Sequence, residues 1–141
     1  MITLPQRILD EIATQAAEEA PNEACGYLAG RDGAAVERYA MTNADASPEH
    51  FSFVPHEQFA ALKRAREADL ELIAVYHSHP ETPARMSAED IRLANDPSTV
   101  YLIYSVPERR IRGFTVTREK EVREHDVRVA LDDRNTAQLT G

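Results

Sequence analysis

The sequence predicts one domain of mixed α/β class, built on a mostly antiparallel sheet that is flanked by helices. A chain of 141 residues, of which 43% are hydrophobic and 28% charged, has the size and composition of a single globular domain. Along the chain, apolar residues at helical spacing alternate with short apolar runs that are typical of strands. The resulting order of elements is αββαβαβββ, and short polar turns join most of the strands that follow one another.

The first element is predicted to be a helix over residues 3–20. Thr3 and Gln6 have the spacing of a capping box, and Ile8 and Ile12 fall on one face of the helix. A Pro-Asn pair then ends this helix.

The next elements are a predicted hairpin and a second helix. Residues 23–30 are predicted to form a short buried strand that pairs across a glycine-containing turn with residues 35–42. Residues 51–54 alternate like another short strand. Pro55 favours the first turn of a helix that runs to about residue 68. The side chains predicted to face the core from this helix are Phe59, Leu62 and Ala65.

The remaining elements complete the sheet. Residues 72–76 form an apolar run that predicts a central strand, and residues 87–95 are predicted to be a third helix. Three further strands are predicted at residues 100–106, 111–118 and 122–131. The domain is therefore expected to span residues 1–131, and the polar segment 132–141 is expected to be a flexible tail.

Charge and composition narrow the range of partners. The chain carries 16 Lys and Arg against 24 Asp and Glu, and this net charge of −8 argues against a nucleic-acid partner. No apolar run approaches the roughly 18 residues of a membrane span, so no membrane partner is expected. The single cysteine excludes an internal disulfide framework and predicts a cytoplasmic location. The oligomeric state is left open.

Chemistry is indicated where the predicted central strand ends. His77 and His79 follow that strand at a spacing of two, which puts both imidazoles on one face. Asp90 lies eleven residues after His79, and the loop between them is long enough to bring the carboxylate back to the histidines. Two histidines and one carboxylate form the three-ligand set of a catalytic zinc site, which keeps a fourth position open for water. The same set also suits iron, so the pattern alone leaves the metal open.

Each of these residues also has a structural interpretation. The two histidines could be exposed loop residues, and Ser87 with Asp90 could be no more than a capping box at the start of a helix. The direct succession of a buried strand and the histidine pair favours the site interpretation. Cys25 is interpreted as a small core residue rather than as a nucleophile or ligand, whereas Asn43 fits either a turn or a substrate contact.

These residues resemble the signature of a known family. The run HSHP that starts at His77, six further residues, Ser87, two residues and Asp90 together give H-S-H-P-x6-S-x2-D. This pattern is similar to the motif of the JAMM (MPN+, Mov34/MPN/PAD-1) metallopeptidases. That family also places a glutamate at the start of the strand after the first helix, where this chain has Glu23. The resemblance implies a zinc-dependent peptidase with a cytidine deaminase-like fold.

The resemblance also implies a role for each matching residue. His77, His79 and Asp90 would bind zinc. Glu23 would take a proton from the attacking water and pass it to the leaving amine, and Ser87 would donate a hydrogen bond to the oxyanion. Glu23 counts against the alternative function, a non-catalytic MPN scaffold in a larger complex, because such scaffolds usually lack the base or the ligands.

Within the family, the chain resembles the small bacterial members. It is close to the minimal domain, with seven residues between His79 and Ser87. Segments 23–26 and 41–44 resemble the branch that removes cysteine from a sulfur carrier. That branch implies a partner, namely a ubiquitin-like or sulfur-carrier protein whose C-terminal Gly-Gly tail carries an amide-linked amine such as cysteine. Pro80 follows the general family rather than that branch, so the exact substrate stays open.

Overall fold

The computed structural model describes residues 1–131, so the tail predicted for residues 132–141 lies outside the described residues. Within residues 1–131 the chain forms eight strands and three helices. The strands are β1 (Ile2–Pro5), β2 (Cys25–Arg31), β3 (Ala34–Met41), β4 (Glu71–His79), β5 (Tyr101–Ser105), β6 (Arg110–Val116), β7 (Val122–His125) and β8 (Val127–Ala130). The helices are α1 (Gln6–Glu19), α2 (Pro55–Glu67) and α3 (Ala88–Leu93).

All eight of these strands belong to one sheet, in the order β7-β6-β5-β4-β2-β3-β1-β8. Four of its seven neighbouring pairs are antiparallel, which confirms the predicted mixed and mostly antiparallel sheet. Strands β4 and β5 are parallel because α3 and its flanking loops form the crossover between them. Strand β4, which carries both histidines, therefore lies inside the sheet between β2 and β5.

The two longer helices cover opposite faces of the sheet. Ile8 and Ile12 of α1 are fully buried in a cluster with sheet residues that include Leu28 and Tyr76. Removal of this apolar surface from water is the main stabilising contribution to the fold. The cluster on the other face, beneath α2, includes Cys25, Ala29, Ala61 and Ala65. Among the three helices of residues 1–131, none combines the length and hydropathy that crossing a bilayer requires.

The first residues form a strand, so the predicted helix start and the capping box of Thr3 with Gln6 are wrong. Ile2 and Leu4 are both buried, and β1 pairs in parallel with β8, with Ile2 opposite Val127. Helix α1 begins only at Gln6, and the residue before it makes no side-chain capping hydrogen bond. The partner strand lies at the other end of the domain, so local spacing could not reveal the pairing.

The last predicted strand, residues 122–131, is in fact two strands. The chain bends at Asp126, so that β7 pairs with β6 at one edge of the sheet and β8 pairs with β1 at the other edge. At this bend, Ile2 N donates a hydrogen bond to the Asp126 carbonyl at 2.9 Å. A single strand was predicted because the apolar alternation carries no sign of the change of partner.

Two other predicted elements are shorter than expected. Residues 51–54 contribute only an isolated bridge, between Asn43 and Phe53, and belong to none of the eight strands of residues 1–131. Helix α3 covers Ala88–Leu93 rather than residues 87–95. Both differences concern the segments that surround the histidines.

Helix α2 has nearly the predicted bounds but presents a different face to the core. Ala61 and Ala65 are buried, whereas Phe59 is 79% exposed and Leu62 is 39% exposed. The inward orientation is therefore confirmed for Ala65 and wrong for Phe59 and Leu62. The small alanine side chains allow α2 to pack closely over Cys25 of β2, whereas a prediction based on bulky apolar residues centres the buried face on Phe59 and Leu62.

Because Phe59 points to solvent, we expect Phe59→Ala to change the free energy of unfolding by less than about 0.5 kcal/mol. The control is Ile12→Ala, which removes a fully buried side chain and should cost about 2–5 kcal/mol. Chemical denaturation of both variants and the unaltered chain gives the comparison. A loss above about 2 kcal/mol for Phe59→Ala would place this side chain in the core and contradict the structure.

Candidate metal centre

Strand β4 carries both histidines in its last residues. Backbone pairing continues past Tyr76, with His77 opposite Cys25 of β2 and His79 opposite Ser105 of β5. The two imidazoles lie on one face of the sheet, as the sequence predicted, with their ring centroids 5.1 Å apart. They are buried, at 1% and 3% exposure, so the alternative of exposed loop histidines is wrong.

Asp90 reaches the histidines from the first turn of α3. Its Oδ2 lies 2.9 Å from Nε2 of His79, and its Oδ1 lies 3.2 Å from Nε2 of His77. The same carboxylate forms a capping box with Ser87, in which Ser87 N donates to Asp90 Oδ2 and Asp90 N donates to Ser87 Oγ, each at 3.0 Å. The capping box and the approach to the histidines therefore coexist, because the cap orients the carboxylate that faces them.

Glu23 enters the same cluster from the segment that precedes β2. Its side chain is buried, at 2% exposure. The backbone around it is fixed on both sides, because Glu23 N donates to the Ser47 carbonyl at 2.9 Å and Ala24 N donates to Ser78 Oγ at 2.8 Å. Asn43 Nδ2 donates to the Glu23 carbonyl at 3.1 Å. These contacts fix the backbone that carries the Glu23 side chain from several elements at once.

Burial and charge shift the ionisation of the cluster. Burial, followed by the nearby Asp90 carboxylate, raises the pKa of the Glu23 carboxyl to about 8, against a lowering by His79. Burial alone would raise the pKa of Asp90, but the close approach of His77 and the hydrogen bond with His79 lower it well below its ordinary value. Burial lowers the pKa of His79, but the hydrogen bonds with Asp90 and the Pro83 carbonyl outweigh burial, so the pKa is raised overall. A carboxyl with a pKa near neutral can accept and return a proton, which general acid–base catalysis requires.

Three polar atoms of the cluster are buried without a hydrogen-bond partner among residues 1–131, namely Oε1 of Glu23 and both ring nitrogens of His77. The 3.2 Å approach of Asp90 to His77 allows charge attraction but does not have hydrogen-bond geometry. Buried polar atoms are rarely left unpaired, and each costs about 1–3 kcal/mol. Glu23, His77 and His79 offer ligand atoms within 4.8 Å of one another. A metal ion bound here would satisfy Oε1 of Glu23 and Nε2 of His77, the ring nitrogen that faces Asp90, and histidine with carboxylate ligands suits zinc or iron.

The contact that orients His79 was not evident in the sequence. Its Nδ1 donates to the Pro83 carbonyl at 2.9 Å. Since a carbonyl can only accept, Nδ1 carries the hydrogen and Nε2 faces the cluster. The loop around Pro83 is itself held by β5, because Ser105 Oγ donates to the Thr82 carbonyl at 2.7 Å. Such outer contacts set the ring orientation of metal-binding histidines.

The sequence left two roles open for Asn43, a turn and a substrate contact. In the structure its side chain has the turn role. It is 8% exposed, and its Nδ2 donates to the carbonyls of Glu23 and His50, each at 3.1 Å. The loop that it closes carries Phe51, whose ring centroid lies 4.9 Å from that of His77. Sequence reasoning did not single out Phe51. The position of Asn43 directly after a strand was the available signal for this loop.

Cys25 is a core residue, as the sequence predicted. It is fully buried beneath α2, and burial raises the pKa of its thiol to about 12. The thiol therefore stays protonated at neutral pH, which a nucleophile or a metal ligand cannot do.

Comparisons with known proteins agree with this geometry. Residues 5–118 match the family described as prokaryotic homologs of the JAB domain. The CysO-cysteine peptidase of Mycobacterium tuberculosis is 33% identical over 114 residues, which cover 77% of this chain and 78% of that protein. A probable TtuB-protein conjugate cleaving protease of Thermus thermophilus is 33% identical over 124 residues, which cover 86% of this chain and 80% of that protein.

Solved structures show the same architecture. A protein from Desulfitobacterium hafniense superposes with a TM-score of 0.86 and 42% identity, covering 94% of each chain. A JAB1/MPN domain protein from Archaeoglobus fulgidus has a TM-score of 0.60 and 20% identity, covering 92% of this chain and 97% of that chain. At that level of identity the second similarity concerns the fold alone. It confirms the fold that the sequence signature implied.

Proposed function

The chain belongs to the prokaryotic homologues of the JAB domain, and from that premise we propose that it is a zinc metallopeptidase acting on a ubiquitin-like or sulfur-carrier protein. The class of enzyme is a JAMM-type hydrolase, in agreement with the peptidase relatives. The observation that carries the proposal is the buried cluster of Glu23, His77, His79 and Asp90. A concentration of buried ionisable groups is typical of functional sites, and the pKa values of Glu23, His79 and Asp90 are shifted here.

We assign His77, His79 and Asp90 as the zinc ligands. Support comes from the two Asp90 oxygens, which lie within 3.2 Å of Nε2 of the two histidines. Glu23 is the other acidic candidate, since its ligand atom lies within 4.8 Å of those of the histidines. Asp90 is favoured because it contacts both rings and is oriented by its capping box. Zinc, when bound, supplies a Lewis acid and lowers the pKa of water to about 7.

Glu23 serves as the general base in this proposal. Its Oε1 has no partner within residues 1–131, and burial raises the pKa of its carboxyl to about 8. The ionised carboxylate accepts a proton from the attacking water, and the raised pKa favours holding that proton until it passes to the leaving nitrogen. As the new C–O bond forms and the C–N bond breaks, the proton taken from water ends on the released amine.

Ser87 serves as the donor to the oxyanion. Its Oγ accepts a hydrogen bond from Asp90 N at 3.0 Å, which leaves the hydroxyl hydrogen available to donate. Within residues 1–131 this hydrogen has no acceptor. A hydrogen bond to the oxygen that becomes negative in the transition state lowers the barrier to amide hydrolysis.

The proposed substrate is a carrier whose C-terminal glycine is joined by an amide to cysteine. Glu23, His77 and His79 are 1–3% exposed, so a carbonyl can reach them only on a thin chain, and glycine is the thinnest residue. A Gly-Gly tail meets this requirement. One relative is named for a CysO-cysteine conjugate and another for a protein conjugate. Remote contacts with the carrier would provide binding energy that is used at the reacting bond.

The test uses a small ubiquitin-like protein that ends in Gly-Gly, with cysteine joined by an amide to its terminal glycine. After incubation with the zinc-loaded chain, mass spectrometry should show the loss of one cysteine. An unrelated oligopeptide is the control substrate and should be cut poorly. If the conjugate stays intact while the oligopeptide is cut, the protein is a general peptidase. If both stay intact, the alternative of a non-catalytic scaffold is favoured.

A further inference from the structure

Helix α3, which carries Asp90, has little apolar anchorage. It spans six residues, and Asp90 is the only one of them that is buried. Leu93, at the end of the helix, is 45% exposed. Helices in proteins are stabilised mainly by packing of an apolar face against the core, and α3 lacks such a face. Its position therefore depends on contacts at its two ends.

The C-terminal end of α3 is held by a lysine that is distant in sequence. Lys120 Nζ donates to the carbonyls of Ile91, Arg92 and Ala94 at 3.2, 3.3 and 2.5 Å. An ammonium group has three hydrogens, so the number of donors matches the number of carbonyls. The carbonyls at the end of a helix lack most of their usual intrahelical partners, although Ile91 O also accepts from Ala94 N at 3.3 Å. A positive charge beside these carbonyls complements the helix dipole.

Lys120 belongs to the sheet that presents the histidines. It lies in the turn between β6 and β7, where its own N–H donates to the Thr117 carbonyl at 3.0 Å and its φ is 67°. Strand β6 pairs with β5, and β5 pairs with β4 through His77 and His79. The lysine thus connects the helix that carries Asp90 to the strands that carry the histidines.

We propose that Lys120 is a positioning residue for Asp90: by holding the C-terminal carbonyls of α3, it keeps the carboxylate in register with His77 and His79. The inference rests on the proposed function, in which Asp90 is a metal ligand. The capping box with Ser87 fixes the first turn of α3, and Lys120 fixes the last turn. With both ends held, a six-residue helix needs no apolar face to keep its place.

The test measures metal binding rather than turnover, with Co²⁺ followed by visible absorption and Zn²⁺ by competition with a chromophoric chelator. Lys120→Met keeps most of the aliphatic stem and removes the charge. We expect it to weaken the binding of both ions by about 10-fold, the lower end of the range for the loss of a hydrogen-bond partner of a metal ligand, because Lys120 acts on Asp90 through the helix. Lys120→Arg restores a charged donor and should recover most of the affinity, which a role in packing alone would not require.

The matched control is Arg118→Met, in the same turn. Arg118 is exposed and has no hydrogen bond or ion pair within residues 1–131, so its loss should leave metal affinity unchanged. In the presence of EDTA, thermal unfolding of Lys120→Met should match that of the unaltered chain within a few degrees, because its side chain lies at the surface. Lys120→Gln is a second variant that tests the loss of charge with a polar side chain retained.

The outcomes separate this inference from the assignment of the ligands. Unchanged affinity in both Lys120→Met and Lys120→Gln, with affinity lost in Asp90→Ala, would overturn the role of Lys120 alone. Unchanged affinity in Asp90→Ala would overturn the ligand assignment and the inference together. Equal losses in Lys120→Met and Arg118→Met would show an effect of net charge and would also overturn the positioning role.

Discussion

Glu23→Gln should retain its zinc while its turnover of the carrier–cysteine conjugate falls by about 10²–10⁴, the usual contribution of a general base. Glutamine has nearly the same shape as glutamate and can form hydrogen bonds, so the buried position can hold it without rearrangement. It cannot accept a proton at neutral pH, so the transfer from water to the leaving amine is lost. Elemental analysis gives the zinc content, and mass spectrometry of the conjugate gives the turnover.

The outcome for zinc decides the role of Glu23. Its potential ligand atom lies within 4.8 Å of those of both histidines, so a ligand role is the specific alternative to that of a base. If Glu23→Gln lost the metal, Glu23 would be a ligand and another group would have to move the proton. If zinc and turnover were both unchanged, neither role would stand.

Ser87 provides a comparison with the same assay. Ser87→Ala removes the donor to the oxyanion and should lower turnover by about 10²–10³ with zinc retained. It also removes the N-cap of α3, at a cost of about 0.5–2 kcal/mol in stability. Ser87→Thr keeps the hydroxyl and the cap, so it separates the catalytic effect from the structural one.

Asp90→Ala and His77→Ala should each remove most of the zinc, from about one ion per chain, and turnover should be lost with it. Each change leaves two of the three proposed ligands. Nε2 of His77, which faces Asp90, is buried without a hydrogen-bond partner among residues 1–131, and a bound ion would satisfy it. Elemental analysis of the purified variants, prepared with zinc present, measures the loss.

Asp90→Asn is the matched control for the helix cap. Asparagine can still accept from Ser87 N in the capping box, but it lacks the charge of the carboxylate. Zinc binding should therefore be weaker in Asp90→Asn while the cap of α3 persists. Asp90→Ala should lose both the zinc and the cap. Circular dichroism should show folded protein in each case, since a chain of this size has its own core. Zinc content unchanged in both alanine variants would contradict the ligand assignment.

The sequence by itself determined those features of the protein that depend on local geometry. Alternation along an extended strand puts His77 and His79 on one face wherever that strand lies in the sheet. The spacing of Ser87 and Asp90 is that of a capping box, and the structure contains that box. The order of helices and strands, read from periodicity, gave the class of the fold. Each of these needs only a few neighbouring residues to be specified.

Only the tertiary structure decided the features that join distant parts of the chain. Pairing with β8 made a strand of the first residues, and close packing of Ala61 and Ala65 turned Phe59 outward. The burial that raises the pKa of Glu23 and the lysine contact of Lys120 with the end of α3 also arise between separate elements. A periodic pattern shows which side chains share a face of a helix or strand, but it does not show which distant element packs against that face. The strand pairing, the burial and the lysine contact all depend on such distant elements.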